Sequence, residues 1–157
     1  MIGGLHHVGI TVSDLDRSLA FYRDLLGLHI EARAVDVAAE DVTGIPGARV
    51  SIADLDLPDG RLLELIQYTA GGGRPLTQRT SDPGACHVAI AVDDIDATCA
   101  RLERAGVTLR SRPITLADSG PRWDGSRVVY TVDPDGVTVE LVQLPSGWRP
   151  PPPPSAR

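Results

Sequence analysis

Lysine is absent: all 15 basic residues of the 157-residue chain are arginine. Without a lysine amine, no mechanism through a Schiff base on the protein is open. Cysteine is nearly absent. Cys86 and Cys99 are too few for a disulfide scaffold. Cys86 adjoins His87 on an expected strand, so their side chains point to opposite faces. Both cysteines are read as small buried thiols, not as nucleophiles or ligands. With two Trp, one Phe and three Tyr, an aromatic cage around a planar ligand is short of material; Trp123, in the 112–126 loop, is read either as lining a cleft or as a partly exposed loop aromatic. No apolar run reaches the roughly 18 residues of a transmembrane helix. Basic charge is outweighed, and the net charge of −6 argues against a nucleic-acid partner. No basic stretch followed by an apolar core precedes the first strand, so no secretory signal is expected, and a cytoplasmic location is. Membrane and nucleic acid are thereby set aside, leaving a small-molecule substrate as the expected partner.

What the chain does contain, it contains twice. Residues 7–16 read HVGITVSDLD and residues 87–96 read HVAIAVDDID, with six of ten positions identical. Residues 58–67 read PDGRLLELIQ and residues 134–143 read PDGVTVELVQ, again with six of ten identical. Each half opens with a His-bearing segment and closes with a Glu-bearing one, and such duplication sets the architecture.

The β-branched alternation of 5–12 predicts a strand. Ser13, with Asp16 three residues on, reads as a helix N-cap with an acidic first turn. Leu15, Leu19, Tyr22 and Leu26 predict a helix over 14–26, stopped by Gly27. Strands follow over 28–37 and 49–55, separated by a loop over 38–47. The turn Pro58-Asp59-Gly60 leads into a strand over 61–68. The second half repeats this order. A strand over 85–92 precedes a helix capped by Asp93 that carries Ile95, Cys99 and Leu102 and ends at Gly106. Strands over 107–111, 127–132 and 137–144 follow, with a loop over 112–126.

The expected fold is therefore α+β, two β-α-β-β-β modules forming a mixed curved sheet around a cleft. Module one spans 1–68, a Gly- and Pro-bearing linker 69–84, and module two 85–144, together one domain over 1–144. Residues 145–157 form a Pro-rich tail in which Pro150 to Pro154 suit a polyproline II segment.

Strand alternation puts His7 on a face with Leu5, Gly9 and Thr11, and Glu64 on a face with Leu62, Ile66 and Tyr68. An ionised Glu on an apolar strand face is costly unless paired or ligating a cation. His87 and Glu140 repeat the arrangement. A shared divalent metal is the economical partner for His7, Glu64, His87 and Glu140; Ni, Co, Zn, Mn and Fe(II) all suit such a mixed N/O set. His6 and His29 fall outside the repeated pattern and are read as surface or supporting residues.

This pattern resembles the vicinal oxygen chelate superfamily, which includes glyoxalase I, methylmalonyl-CoA epimerase, extradiol dioxygenases, fosfomycin-resistance enzymes and bleomycin-binding proteins. The resemblance covers about 5–143, carried by His7-Val8-Gly9-Ile10, Phe21-Tyr22 through Leu26-Gly27, His87-Val88-Ala89-Ile90, and Asp133-Pro134-Asp135-Gly136 to Glu140-Leu141. It implies one divalent metal held at the places matched here by His7, Glu64, His87 and Glu140, and a homodimer. It implies that Glu140, or else Glu64, is the base of a metal-dependent isomerase or lyase that shifts a proton next to chelated vicinal oxygens. Three-ligand members would use only His7, His87 and Glu140, so Glu64 tilts the expectation toward the proton-transfer branch. An extradiol-type dioxygenase and a non-enzymatic antibiotic-binding resistance protein are the alternatives. Epimerases carry a second His where Cys86 stands, and no further epimerase base is found in 38–52. Arg49, Arg122 and Arg127 are available to an anionic substrate.

Overall fold

The computed structural model describes residues 4–120 and 123–148. The expected polyproline segment at 150–154 and Arg122 lie outside the described residues. Two compact units are present. The first comprises 1–85 together with 133–137, the second 86–132 and 138–157.

In the first unit, strands β1 (His7–Val12), β2 (His29–Ala38), β3 (Arg49–Asp56) and β4 (Leu62–Ala70) form a sheet in the order β1-β4-β3-β2. β1 pairs with β4 in parallel; the other pairs are antiparallel. In the second unit, β5 (His87–Ala91), β6 (Ile114–Thr115), β7 (Arg127–Val132) and β8 (Thr138–Gln143) repeat that order as β5-β8-β7-β6, with β5 and β8 parallel. These two four-stranded mixed sheets with their helices are the α+β fold that the repeats predict. The turns between β3 and β4 and between β7 and β8 have Gly60 at φ 80° and Gly136 at φ 86°. That left-handed backbone costs any residue with a Cβ, which is why Pro-Asp-Gly recurs at both places.

The same repeated stretches anchor the helices. Helix α1 (Leu15–Leu19) is capped by Asp14, whose side chain accepts from Arg17 N at 2.9 Å. Helix α3 (Ile95–Arg104) is capped by Asp94, accepting from Ala97 N at 2.9 Å. The caps expected at Ser13 and Asp93 are thus each one residue early. Ser13 instead donates its hydroxyl to Asp135. The next exposed N–H of each helix, on Leu15 and Ile95, donates to Gln67 Oε1 at 2.9 Å and Gln143 Oε1 at 3.0 Å. Asp14, Asp94, Gln67 and Gln143 are all identical positions of the repeats, and each satisfies a donor that a helix start would otherwise leave unpaired.

α1 continues as a π-helical stretch, Ala20–Leu25. The wider turn buries Phe21 beside Tyr22 at 3% and 0% exposure, ring centroids 4.9 Å apart, and leaves Leu26 only half-buried. The α-periodic face expected to end on Leu26 is therefore rotated onto Phe21. These residues cover one face of the first sheet, where Ile10, Val12, Ala53, Leu55, Leu63 and Leu65 are buried. In the second unit, Ile95, Cys99 and Leu102 cover Val129, Val139 and Leu141 in the same way. Each helix leaves the opposite sheet face to other uses.

Three further expectations are corrected. The 38–47 loop contains a short helix, α2 (Glu40–Thr43), and Ala39 and Ala48 beside it pack with Val50 against Ile52, Ile66 and Tyr68. The strand expected over 107–111 is reduced to a single bridge, Leu109 to Thr131, and the edge strand is β6. Pro113, which has no N–H to give a ladder, separates the two. Cys99 is buried, but Cys86 is exposed, standing just before β5 rather than within it.

Tyr22 also donates its hydroxyl to Asp133 at 3.0 Å, within the first unit. Asp133, 4% exposed, accepts in addition from Asp135 N and Val137 N, at 2.9 and 2.8 Å. Burial, and then the charge and hydrogen bond of Asp133, push the Tyr22 phenol far above the usual tyrosine range. A phenol that keeps its proton in the fold but ionises in the unfolded chain stabilises fully below the unfolded value. That contribution is lost as pH rises past about 10. Urea midpoints are expected to fall above that pH, with a Tyr22 share of about 1.4 kcal/mol per pH unit. The same titration on Tyr22→Phe should lack that share; an identical slope in the variant would refute the linkage.

Candidate metal centre

The parallel register of β1 and β4 sets Gly9 beside Glu64 and His7 beside Leu62. His7, Gly9 and Thr11 therefore share a face with Leu62, Glu64 and Ile66, the face turned away from α1. His7 Nε2 lies 3.8 Å from Glu64 Oε2, with the side chains 44% and 22% exposed. The absence of a side chain at Gly9 makes room for the carboxylate. A Cβ there would stand 3.3 Å from Glu64 Oε2 and 3.5 Å from Ile66 Cδ1.

The second unit repeats the register, Ala89 beside Glu140 and His87 beside Thr138. His87 Nε2 is 3.1 Å from Glu140 Oε2. Each unit thus brings together one imidazole nitrogen and one carboxylate oxygen on a half-exposed strand face. Among the described residues no three His, Cys, Asp or Glu side chains converge at metal-binding distance within the structure, so what it contains is two His–Glu pairs. The donor chemistry fits a divalent first-row ion. Two features of the pairs support the fit: Gly9 cradles the carboxylate, and neither Glu64 nor Glu140 has an Arg partner among the described ion pairs.

Neighbours that strand alternation alone did not find complete each pair. Antiparallel register puts Asp54 directly opposite Glu64, and Tyr130 directly opposite Glu140. Both stand ten residues before their Glu, so counting outward from the repeated Pro-Asp-Gly turn would have located them. Two carboxylates directly across a ladder repel, which a bound cation relieves. The Tyr130 ring lies 5.4 Å from that of His87, and burial together with the Glu140 charge raises its phenol above the usual value. His6, read as a surface or supporting residue, has its Nδ1 2.9 Å from His7 Nδ1. A proton on His7 Nδ1, donated to His6, would leave the His7 Nε2 lone pair for ligation. His29 is exposed and stands opposite Asp56.

Of the arginines offered to an anionic substrate, Arg49 and Arg127 form ion pairs. Arg49 Nε is 2.9 Å from Asp36 Oδ2, and Arg127 is bound by both carboxylate oxygens of Asp96 at 2.6 and 2.9 Å. Those guanidiniums hold Asp36 and Asp96 below the usual carboxylate range. Trp123 is 43% exposed.

The model of the Glyoxalase/Bleomycin resistance protein/Dioxygenase superfamily matches residues 4–141. A 2-epi-5-epi-valiolone epimerase from Actinomyces sp. is 35% identical over 154 residues, covering 91% of this chain and 80% of its own. A lactoylglutathione lyase from Haemophilus influenzae is 30% identical over 138 residues, covering 87% of this chain and 90% of its own. Among solved structures, a glyoxalase family protein from Bacillus cereus superposes with a TM-score of 0.78 at 27% identity, covering 91% of this chain and 95% of that one.

Proposed function

The chain belongs to the glyoxalase/bleomycin resistance protein/dioxygenase superfamily, and on that premise we propose that it is a metal-dependent isomerase or lyase that shifts a proton on a carbon next to vicinal oxygens. One observation carries the reading: each unit presents a His–Glu pair, at 3.8 and 3.1 Å, in the same strand register. Similarity to enzymes named epimerase and lactoylglutathione lyase supports the same class.

His7, Glu64, His87 and Glu140 are the residues that would hold the metal. When bound, a divalent ion stabilises negative charge developing on two adjacent substrate oxygens. The protein's own part is proton transfer. Glu140 takes the proton from the carbon beside the carbonyl and returns it, to the same carbon in an epimerisation or to its neighbour in an isomerisation. Its side chain is 17% exposed, sheltered by the sheet yet open to substrate. His87, at its side, keeps the carboxylate oriented. Glu64 holds the equivalent place in the first unit and is the alternative base. A homodimer belongs to the same proposal, since β1 and β2 are edge strands of the first sheet and edges invite pairing between chains.

Elemental analysis of anaerobically purified protein, with light scattering on the same sample, tests this. Ni, Co or Zn at near one per chain, in a particle twice the 16.7 kDa chain mass, is expected. Iron with oxygen uptake on a catechol would mark the dioxygenase instead. No metal with all four residues intact would favour an antibiotic-binding protein.

A further inference from the structure

We infer that Ser13, Arg17 and Tyr22 form a docking surface that accepts only the Asp-Pro-Asp-Gly turn of this chain's second half, and so keep like halves of different copies from pairing. Residues 133–137, the turn between β7 and β8, are part of the first unit. There Asp133, 4% exposed, accepts the hydroxyl of Tyr22, 0% exposed, at 3.0 Å. Asp135 accepts the Ser13 N–H at 2.9 Å, the Ser13 hydroxyl, and the Arg17 guanidinium at 2.8 Å. The turn itself does not need these side chains. The first half's turn closes through the same backbone bonds, Leu57 N–H to Arg61 O and Gly60 N–H to Leu57 O, as Asp133 N–H to Val137 O and Gly136 N–H to Asp133 O. It does so with Leu57 in the place of Asp133. The buried polar pair therefore serves docking.

The duplication supplies wrong partners, because every copy carries two similar turns and two similar helix starts. The His-bearing stretches repeat 80 residues apart, from His7 to His87, and the Glu-bearing ones 76 apart, from Glu64 to Glu140. On that spacing α3 has Leu102, also fully buried, where the first half has Tyr22, and Asp93 and Ala97 where it has Ser13 and Arg17. Turn 133–137 on the α3 of a second copy would bury the Asp133 carboxylate against leucine and set Asp135 against Asp93. Tyr22, meeting a first-half turn, would face Leu57, and Asp59 of that turn is already paired with Arg61. A buried donor or acceptor left without a partner costs its full desolvation. The matched pairing satisfies every group, and each mismatched one leaves a buried polar group alone or opposes like charges. Selectivity so built combines attraction in the right match with a penalty in the wrong one. A single buried polar residue fixes the register of a coiled coil in the same way.

The test refolds the full chain from urea at several protein concentrations and reads particle mass by light scattering and native mass spectrometry. The wild-type chain is expected to return to one mass throughout. Tyr22→Leu/Asp133→Leu gives this match the leucines of the other repeat and removes two penalties of roughly tenfold each. The share of larger species should rise about a hundredfold, increasing with concentration, while the far-UV spectrum of the fold is retained. Ser13→Asp/Arg17→Ala writes the α3 residues onto exposed positions of the first half. It should raise the same species by a smaller factor, and it decides alone if the leucine variant does not fold. Arg23→Ala, which removes the exposed Arg23–Asp24 pair of the same helical stretch, should keep one mass. Larger species from either double variant, absent in Arg23→Ala, support the inference. Wild-type mass alone from every double variant that folds overturns it, even where stability falls, as does the same rise in Arg23→Ala.

Discussion

Glu140→Gln is expected to retain most of the bound metal yet lose proton exchange at the substrate carbon by about 10²- to 10⁴-fold, the usual worth of a positioned general base. The substitution keeps the length and planarity of the side chain, so the amide oxygen can still approach the Nε2 of His87, 3.1 Å from the native carboxylate. What disappears is a basic lone pair that can carry a proton away from carbon. Deuterium exchange followed by NMR with hydroxyacetone, on samples whose metal content is measured in parallel, separates the two effects. Exchange at the wild-type rate would sink the assignment of Glu140 and move the base role to Glu64. A loss of metal equal to the loss of exchange would make Glu140 a ligand only.

For Glu64→Gln the expected loss is in metal affinity, on the order of 100-fold or more, the upper end of what even a supporting residue of a metal site contributes. The Glu64 carboxylate lies in the space that Gly9 leaves open, and the amide of Gln fits the same space, so packing of β1 against β4 is preserved. The charge is not. Competition titration against a chelator of known affinity reads the change. The result also decides between branches. If His7, His87 and Glu140 alone hold the ion, as in the three-ligand arrangement, the variant keeps wild-type affinity and the proton-transfer reading loses its main support. In the metal-free protein the same variant relieves the repulsion between Glu64 and Asp54 directly across the ladder. Apo stability should therefore not fall.

Much of this molecule is legible because its signals are local. Alternation along 7–12 and 62–68, the Pro-Asp-Gly turns and the helical spacing of Leu15, Leu19 and Tyr22 each depend on a few neighbouring residues. The errors were at places where two local choices are nearly equal. Ser13 and Asp14 are both good N-caps, as are Asp93 and Asp94; the repeat, in which only Asp14 and Asp94 are identical, held the answer. Tyr22 and Leu26 suit an α-helical face, but burial of Phe21 beside Tyr22 goes with a π-helical turn, which no periodicity argument anticipates. Pro113 marked the interruption near 107–115, yet which side of it would pair with β7 depended on the sheet.

By itself the sequence determined the β-α-β-β-β order of each half, the superfamily resemblance, and the four side chains whose faces imply a cation, because alternation and turn chemistry act over a few residues. Only the tertiary structure decided what surrounds those side chains. Register between β3 and β4, and between β7 and β8, sets Asp54 against Glu64 and Tyr130 against Glu140. Chain folding pairs Arg49 with Asp36 and Arg127 with Asp96. It also joins residues 133–137 to the first unit, where Asp133 meets Tyr22 across 111 positions of sequence. Such contacts depend on pairing between distant strands, and hydrogen-bonded partners so far apart leave no periodic trace along the chain.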